Sequence, residues 1–117
     1  MAGFNPPHFK RDKNTMWYKA AKTSDFTEDR AQLIELEGKA IALFRLHGKF
    51  YAIDNKCPHR GGPLVQGHVE DGKVTCPWHA WQFEVATGLC DTMPGAKQKT
   101  YPVKVEKNEI LIDTDPA

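Results

Sequence analysis

The longest uninterrupted apolar run in this chain is Ala40 to Phe44, closed by Lys39 and Arg45, and that brevity restricts the fold more than any other feature. A membrane-crossing helix needs about 20 apolar residues, and an amphipathic helix needs one roughly every three to four positions over several turns. No window supplies either. From Trp17 onward the apolar residues come in short groups rich in β-branched and aromatic side chains, divided by turn signals. Gln32 to Glu37, Ile41 to Leu46 and Phe50 to Ile53 read as three strands of a meander, joined by Gly38-Lys39 and His47-Gly48-Lys49. Asp71-Gly72, between Val69 and Val74, tolerates the positive φ of a tight turn and marks a further hairpin. Trp81 to Val85 ahead of Thr87-Gly88, and Val103 and Val105 leading through Lys107-Asn108 to Ile110 and Ile112, read as the closing strands. Ser24-Asp25-Phe26 could cap a single helical turn around Thr27 to Arg30. The class is all-β, and 117 residues make one small domain.

Charge excludes several functions. Sixteen basic side chains against fifteen acidic ones leave a formal charge of +1. The imbalance is dispersed, with nine basic and six acidic residues over 1–50 and seven against nine over 51–117. That argues against nucleic acid or a membrane surface as the main partner. The start M-A-G-F-N-P-P-H-F-K-R has no apolar stretch of signal-peptide length, so a cytoplasmic location is expected. Residues 1–15, with Pro6-Pro7 and the cluster Lys10 to Asn14, read as a flexible N-terminal arm ahead of a domain over 16–117. Three cysteines fit metal ligands plus a spare better than a disulfide framework. The irregular stretches, roughly 54–68 and 86–100, are rich in Gly, Pro, Cys and His, the composition expected of site-bearing loops.

Two motifs carry the chemistry: Cys57-Pro58-His59-Arg60-Gly61-Gly62 and, after a gap of sixteen residues from His59, Cys76-Pro77-Trp78-His79. Thiolate and imidazole are soft and borderline donors, and two Cys/His loops joined through a hairpin can gather four of them around one centre. Zinc is one solution, although its usual fingers group Cys with Cys and His with His and add a helix that this sequence lacks. An iron-sulfur centre is the other.

Cys-x-His and Cys-x-x-His at this spacing, followed by Gly-Gly-Pro-Leu and Ala-Trp-x-Phe respectively, resemble the Rieske 2Fe-2S proteins. The resemblance covers roughly Trp17 to Thr114, and its specific part is Cys57–Gly67 and Cys76–Pro94. It implies three small antiparallel sheets with the cluster-binding loops, about 54–95, at one tip. It also implies one 2Fe-2S cluster, with Cys57 and Cys76 on the inner iron and His59 and His79 on the outer one. Two ferric ions, two sulfides and two thiolates are together neutral, whereas four thiolates would leave the centre doubly negative. Imidazole ligation therefore raises the potential from roughly −400 mV into a range of about −150 to +300 mV. Respiratory members of the family add a loop-bridging disulfide and Ser and Tyr hydroxyls that donate to sulfur. Here Gly62 and Trp78 occupy the disulfide positions, and Trp81 and Phe83 stand where the hydroxyls would be. A low-potential centre follows.

That pattern resembles the Rieske ferredoxins that carry single electrons from a flavin- or NAD(P)H-dependent reductase to a terminal oxygenase. No residues remain for an oxygenase's own iron domain, so the chain is expected to be an electron-transfer component and not an enzyme. It also resembles the cluster-bearing small subunit of NADH-dependent nitrite reductase, and a structural zinc module is a third reading. Around the ligands, Gly61 and Gly62 are expected to let backbone N–H groups approach the sulfides. Gly67 is equally a plain turn glycine. Trp81 and Phe83 read as core, while Trp78 would shield the cluster or face a partner. Cys90 reads as packing, and His8, His47 and His68 as surface or turn histidines. Met93-Pro94-Gly95 falls where the family has a third, proline-containing loop. Lys56 and Arg60 beside the ligands suit electrostatic docking.

Overall fold

The computed structural model describes residues 17–28, 30–58, 61–78, 80–93 and 95–114. The N-terminal arm expected over 1–15 lies outside them, as do His59, Arg60, His79 and Pro94.

Ten strands run in chain order: β1 (Trp17–Lys22), β2 (Arg30–Leu36), β3 (Lys39–Leu46), β4 (Lys49–Asp54), β5 (His68–Glu70), β6 (Lys73–Thr75), β7 (Gln82–Glu84), β8 (Thr100–Tyr101), β9 (Val103–Glu106) and β10 (Glu109–Asp113). They form three antiparallel sheets, β1-β10-β9, β2-β3-β4-β8 and β5-β6-β7. The expected all-β class and the three small sheets are both present.

The hairpins follow from their turn residues. Glu37-Gly38, His47-Gly48, Asp71-Gly72 and Lys107-Asn108 all hold positive φ at both positions, the twist that joins two strands through two residues. The first turn lies one residue earlier than Gly38-Lys39, because Glu37 leaves the strand and takes φ of 51°. Of the stretch expected to make a helical turn, the described residues Thr27, Glu28 and Arg30 are not helical. Instead Thr23–Asp25 makes one 3-10 turn, with Lys22 N–H donating to Asp25 Oδ2 at 3.3 Å. Thr27 and Arg30 close only a reverse turn leading into β2. A second 3-10 turn, Leu64–Gln66, interrupts the stretch read as irregular.

The run Ala40 to Phe44 is apolar throughout because β3 is covered on both faces. Ile41 and Leu43 enter a core with Phe26, Ala52, Tyr101, Ile110 and Ile112, between the two larger sheets. Ala42, Phe44 and Leu46 enter a second core with Ile53, Leu64, Val74, Phe83 and Val85. This second core also contains Cys57, Cys76 and Cys90, so the β5-β6-β7 sheet and the cysteine loops rest on the opposite face of the same strand. Each such side chain contributes about 1.5–3 kcal/mol when fully buried, enough to fix where the loops leave the sheets.

Candidate metal centre

The first cysteine loop leaves the end of β4 and the second connects β6 to β7. Both close in the same way. Cys57 N–H donates to Gly62 O at 2.9 Å and Cys57 O accepts from Gly61 N–H at 2.7 Å. Cys76 N–H donates to Trp81 O at 2.7 Å and Cys76 O accepts from Ala80 N–H at 3.0 Å. The correspondence extends to the backbone, with Gly61 at φ 79° and Ala80 at φ 61° in equivalent places. A left-handed alanine costs about 1–2 kcal/mol, so the loop closure outweighs its strain. Two cysteines are thus presented from matching loops, 1% and 2% exposed, and neither is in a disulfide.

The loops also touch. A Cβ built on Gly62 would lie 2.8 Å from Cys76 Sγ and 3.0 and 3.1 Å from Trp78 ring atoms. Glycine at 62 is required by space between the loops, and at 61 by backbone conformation. Gly61 spends its own N–H on Cys57 O, within the loop. Gly67 is no plain turn glycine: a Cβ there would stand 2.1 Å from Thr75 O, so it seats the backbone that leads into Cys76.

Other expected residues take definite places. Cys90 is buried in the same core as Cys57 and Cys76, and its Sγ accepts from Met93 N–H at 3.3 Å, tying down the third loop. Phe83 is fully buried and Trp81 packs against it at 6.4 Å between ring centroids. Trp78 is 58% exposed, and Pro58, Pro77 and Met93 are exposed with it. His47 lies in a turn and His68 pairs with exposed Glu70 at 3.0 Å. Lys73, which begins β6, pairs with Asp91 at 2.5 Å, and that hydrogen bond raises the lysine pKa.

Two anchoring residues escape sequence reasoning. Asn55 holds the base of the first loop, its Oδ1 accepting from Val65 N–H at 2.8 Å and its carbonyl from Leu64 N–H at 2.8 Å. Gln98 is buried and donates to the carbonyls of Asp54 and Lys56. Asn55 beside Asp54 does carry a turn signal. Gln98, flanked by Lys97 and Lys99, carries none.

Two buried thiols on touching loops, each followed within three residues by an imidazole in sequence, fit a Cys₂His₂ donor set. The donor set alone does not separate zinc from iron and sulfide; relationship to known proteins does. The Rieske [2Fe-2S] domain matches residues 16–106. The ferredoxin component of the naphthalene 1,2-dioxygenase system of Pseudomonas putida is 37% identical over 98 residues, covering 83% of this chain and 94% of that one. The ferredoxin component of the alkene monooxygenase system of Xanthobacter autotrophicus is 33% identical over 93 residues, covering 79% and 76%. Among solved structures, the ferredoxin of carbazole 1,9a-dioxygenase from Nocardioides aromaticivorans superposes with a TM-score of 0.78 at 25% identity, covering 86% of this chain and 98% of that one. Family membership also names the cofactor, one Rieske-type 2Fe-2S cluster. With its three sheets, its paired cysteine loops and these relatives, the chain belongs to the Rieske 2Fe-2S family, on the ferredoxin side.

Proposed function

We propose that this protein is a one-electron carrier that takes electrons from a flavin- or NAD(P)H-dependent reductase and delivers them to a terminal oxygenase, with Cys57, Cys76, His59 and His79 as the cluster ligands. The observation that carries the reading is the matched closure of the two cysteine loops, which buries one thiol in each and brings the loops into contact where Gly62 meets Cys76 and Trp78. When bound, the cluster supplies a one-electron couple; the chain itself does no substrate chemistry.

Each residue has a task. Cys57 and Cys76 would bind as thiolates from the core they share with Leu64, Val74 and Phe83, where burial keeps competing water from the sulfur. His59 and His79, two and three residues beyond their cysteines, complete the set as neutral imidazoles. Phe83 and Trp81 present no hydroxyl to the cysteine sulfurs, which keeps the potential near the low end of the family range, about −150 to −100 mV. Exposed Pro58, Pro77, Trp78 and Met93 offer a small apolar contact surface, and Lys56 and Arg60 add positive charge for steering. A surface of that size suits a transient complex.

The relatives named as components of dioxygenase and monooxygenase systems support this assignment. The nitrite reductase small subunit stands as the alternative; a solved structure described as a putative one is a neighbour at 22% identity, a likeness of fold. No helix among the described residues is long and apolar enough to cross a membrane, and we place the carrier in the cytoplasm.

The test begins with colour and spin. Purified protein is expected to be red-brown, and dithionite should produce an electron paramagnetic resonance signal with average g near about 1.9, the mark of mixed ligation. Cys57→Ser and Cys76→Ser should each abolish assembly, whereas Cys90→Ala should load fully. One zinc per chain without iron or sulfide would overturn the cluster reading, and loss of iron from a folded Cys90→Ala protein would overturn the ligand set.

A further inference from the structure

Gln98 lies between two lysines, yet is only 4% exposed. Both ends of its side-chain amide are used. Nε2 donates to Asp54 O at 2.8 Å and to Lys56 O at 2.7 Å, while Oε1 accepts from Lys99 N–H at 3.0 Å. Its main-chain N–H donates to Gly88 O at 2.7 Å. The approach there is so close that a Cβ on Gly88 would stand 2.2 Å from Gln98 O. Three segments therefore meet at one buried residue, its side chain joining the end of β4 to the stretch that leads into β8 and its main chain meeting the turn after β7.

The bond to Lys56 O has a specific consequence. That carbonyl and the Cys57 N–H belong to one planar peptide unit. Its oxygen is held by Gln98 Nε2 and its N–H by Gly62 O. With both ends fixed, the plane cannot rotate without breaking a buried hydrogen bond and leaving a polar group unsatisfied. The plane in turn sets where the Cys57 Cα–Cβ bond begins. The second loop achieves the same end differently, since Thr75 O, of the peptide before Cys76, is seated against Gly67, and Cys76 N–H is held by Trp81 O.

We infer that Gln98 is a positioning residue for the cluster: by holding the Lys56–Cys57 peptide plane it sets the direction in which Cys57 presents its sulfur. This rests on Cys57 being a ligand, and the two claims fail separately. A cluster retained in Cys57→Ser would sink the ligand assignment, whatever Gln98 does.

The test uses the holoprotein and Gln98→Met, which keeps the volume and removes both donors. Far-ultraviolet circular dichroism should remain that of the wild type. The visible circular dichroism of the oxidised cluster and the g-values of the reduced one should shift. Iron release to a chelator should be roughly five- to tenfold faster, the factor expected when about one net hydrogen bond is lost from the closed loop. Ile110→Val, in the core remote from the loops, supplies the control, because its loss of stability should leave every spectroscopic signature in place. A folded Gln98→Met protein with wild-type spectra and release rate would overturn the inference and leave Gln98 merely structural. Where Gln98→Met does not fold, hydrogen exchange of the Gln98 side-chain amide in the wild-type oxidised protein decides. Strong protection supports the clasp, and exchange at the rate of a free amide refutes it.

Discussion

Replacing Gly62 by alanine isolates the contact between the two ligand loops. The new Cβ would lie 2.8 Å from Cys76 Sγ and 3.0 Å from the Trp78 Cγ, against ordinary contacts of about 3.5–4.0 Å. Close to 1 Å of separation must therefore be found. Trp78, more than half exposed, can swing outward; Cys76 Sγ is buried at the root of its loop and cannot. Gly62 has no positive φ, so backbone strain adds nothing and the whole effect is steric. Overpacking of this kind costs about 1–3 kcal/mol, which at about 4 °C per kcal/mol for a domain of this size lowers the melting temperature by about 4–12 °C. The assay is a thermal melt of the holoprotein, followed at once in the far ultraviolet and in the visible cluster bands. Gly38→Ala serves as the comparison, because its Cβ meets open space and its φ of 77° costs only about 1–2 kcal/mol of backbone strain; it should leave the visible spectrum alone. Adding Trp78→Ala to Gly62→Ala removes the ring contacts but not the sulfur contact, so only part of the loss should return. If Gly62→Ala melts within about 2 °C of the wild type with full iron and an unchanged visible spectrum, the loops do not touch as described and the steric reasoning fails.

Two further outcomes are expected. Phe83→Tyr should raise the midpoint potential measured by protein-film voltammetry if the new hydroxyl reaches a cysteine sulfur; an unchanged midpoint with that hydrogen bond demonstrably formed would remove hydroxyl donation as the lever. Glu28 accepts from His47 N–H and from Gly48 N–H at 3.2 Å, and the His47 bond is the main cause of its lowered pKa. A carboxylate whose folded pKa is depressed stabilises the fold above its unfolded pKa and loses that contribution as the pH falls through the folded value. Glu28→Gln should therefore flatten the acid side of the stability profile, and an identical slope between about pH 5 and pH 3 in both proteins would contradict the assignment.

The hairpins were readable in the sequence because their chemistry is local: Asp71-Gly72 and Lys107-Asn108 need only their own backbone preferences to turn. The two cysteine loops were readable for a similar reason, since Cys57-Pro58-His59 and Cys76-Pro77-Trp78-His79 repeat one short motif, and the structure closes both loops alike at their cysteines. Gly67 was not, because what demands glycine there is the Thr75 carbonyl from a neighbouring strand. Glu37 was misplaced in a strand because the β2-β3 register, with Leu36 opposite Lys39, leaves it in the turn. Gln98 was invisible: its partners lie 42 and 44 residues away, and nothing in Lys-Gln-Lys distinguishes a buried amide from a solvated one. Sequence pattern reports periodicity and donors well; it does not report which polar side chain the fold encloses.

Because alternate residues of β3 belong to different cores, the strand acts as a shared wall. Melting the cysteine end alone would strip water-free cover from Ala42, Phe44 and Leu46 while Ile41 and Leu43 stayed packed on the other side. Such a half-exposed strand retains the entropy cost of order without half of its burial, so the loop-bearing part and the base rise and fall as one cooperative unit. For the carrier proposed above, this means that docking forces at one end would be resisted by the packing of the whole molecule, and the cysteine loops would keep their shape from one encounter to the next.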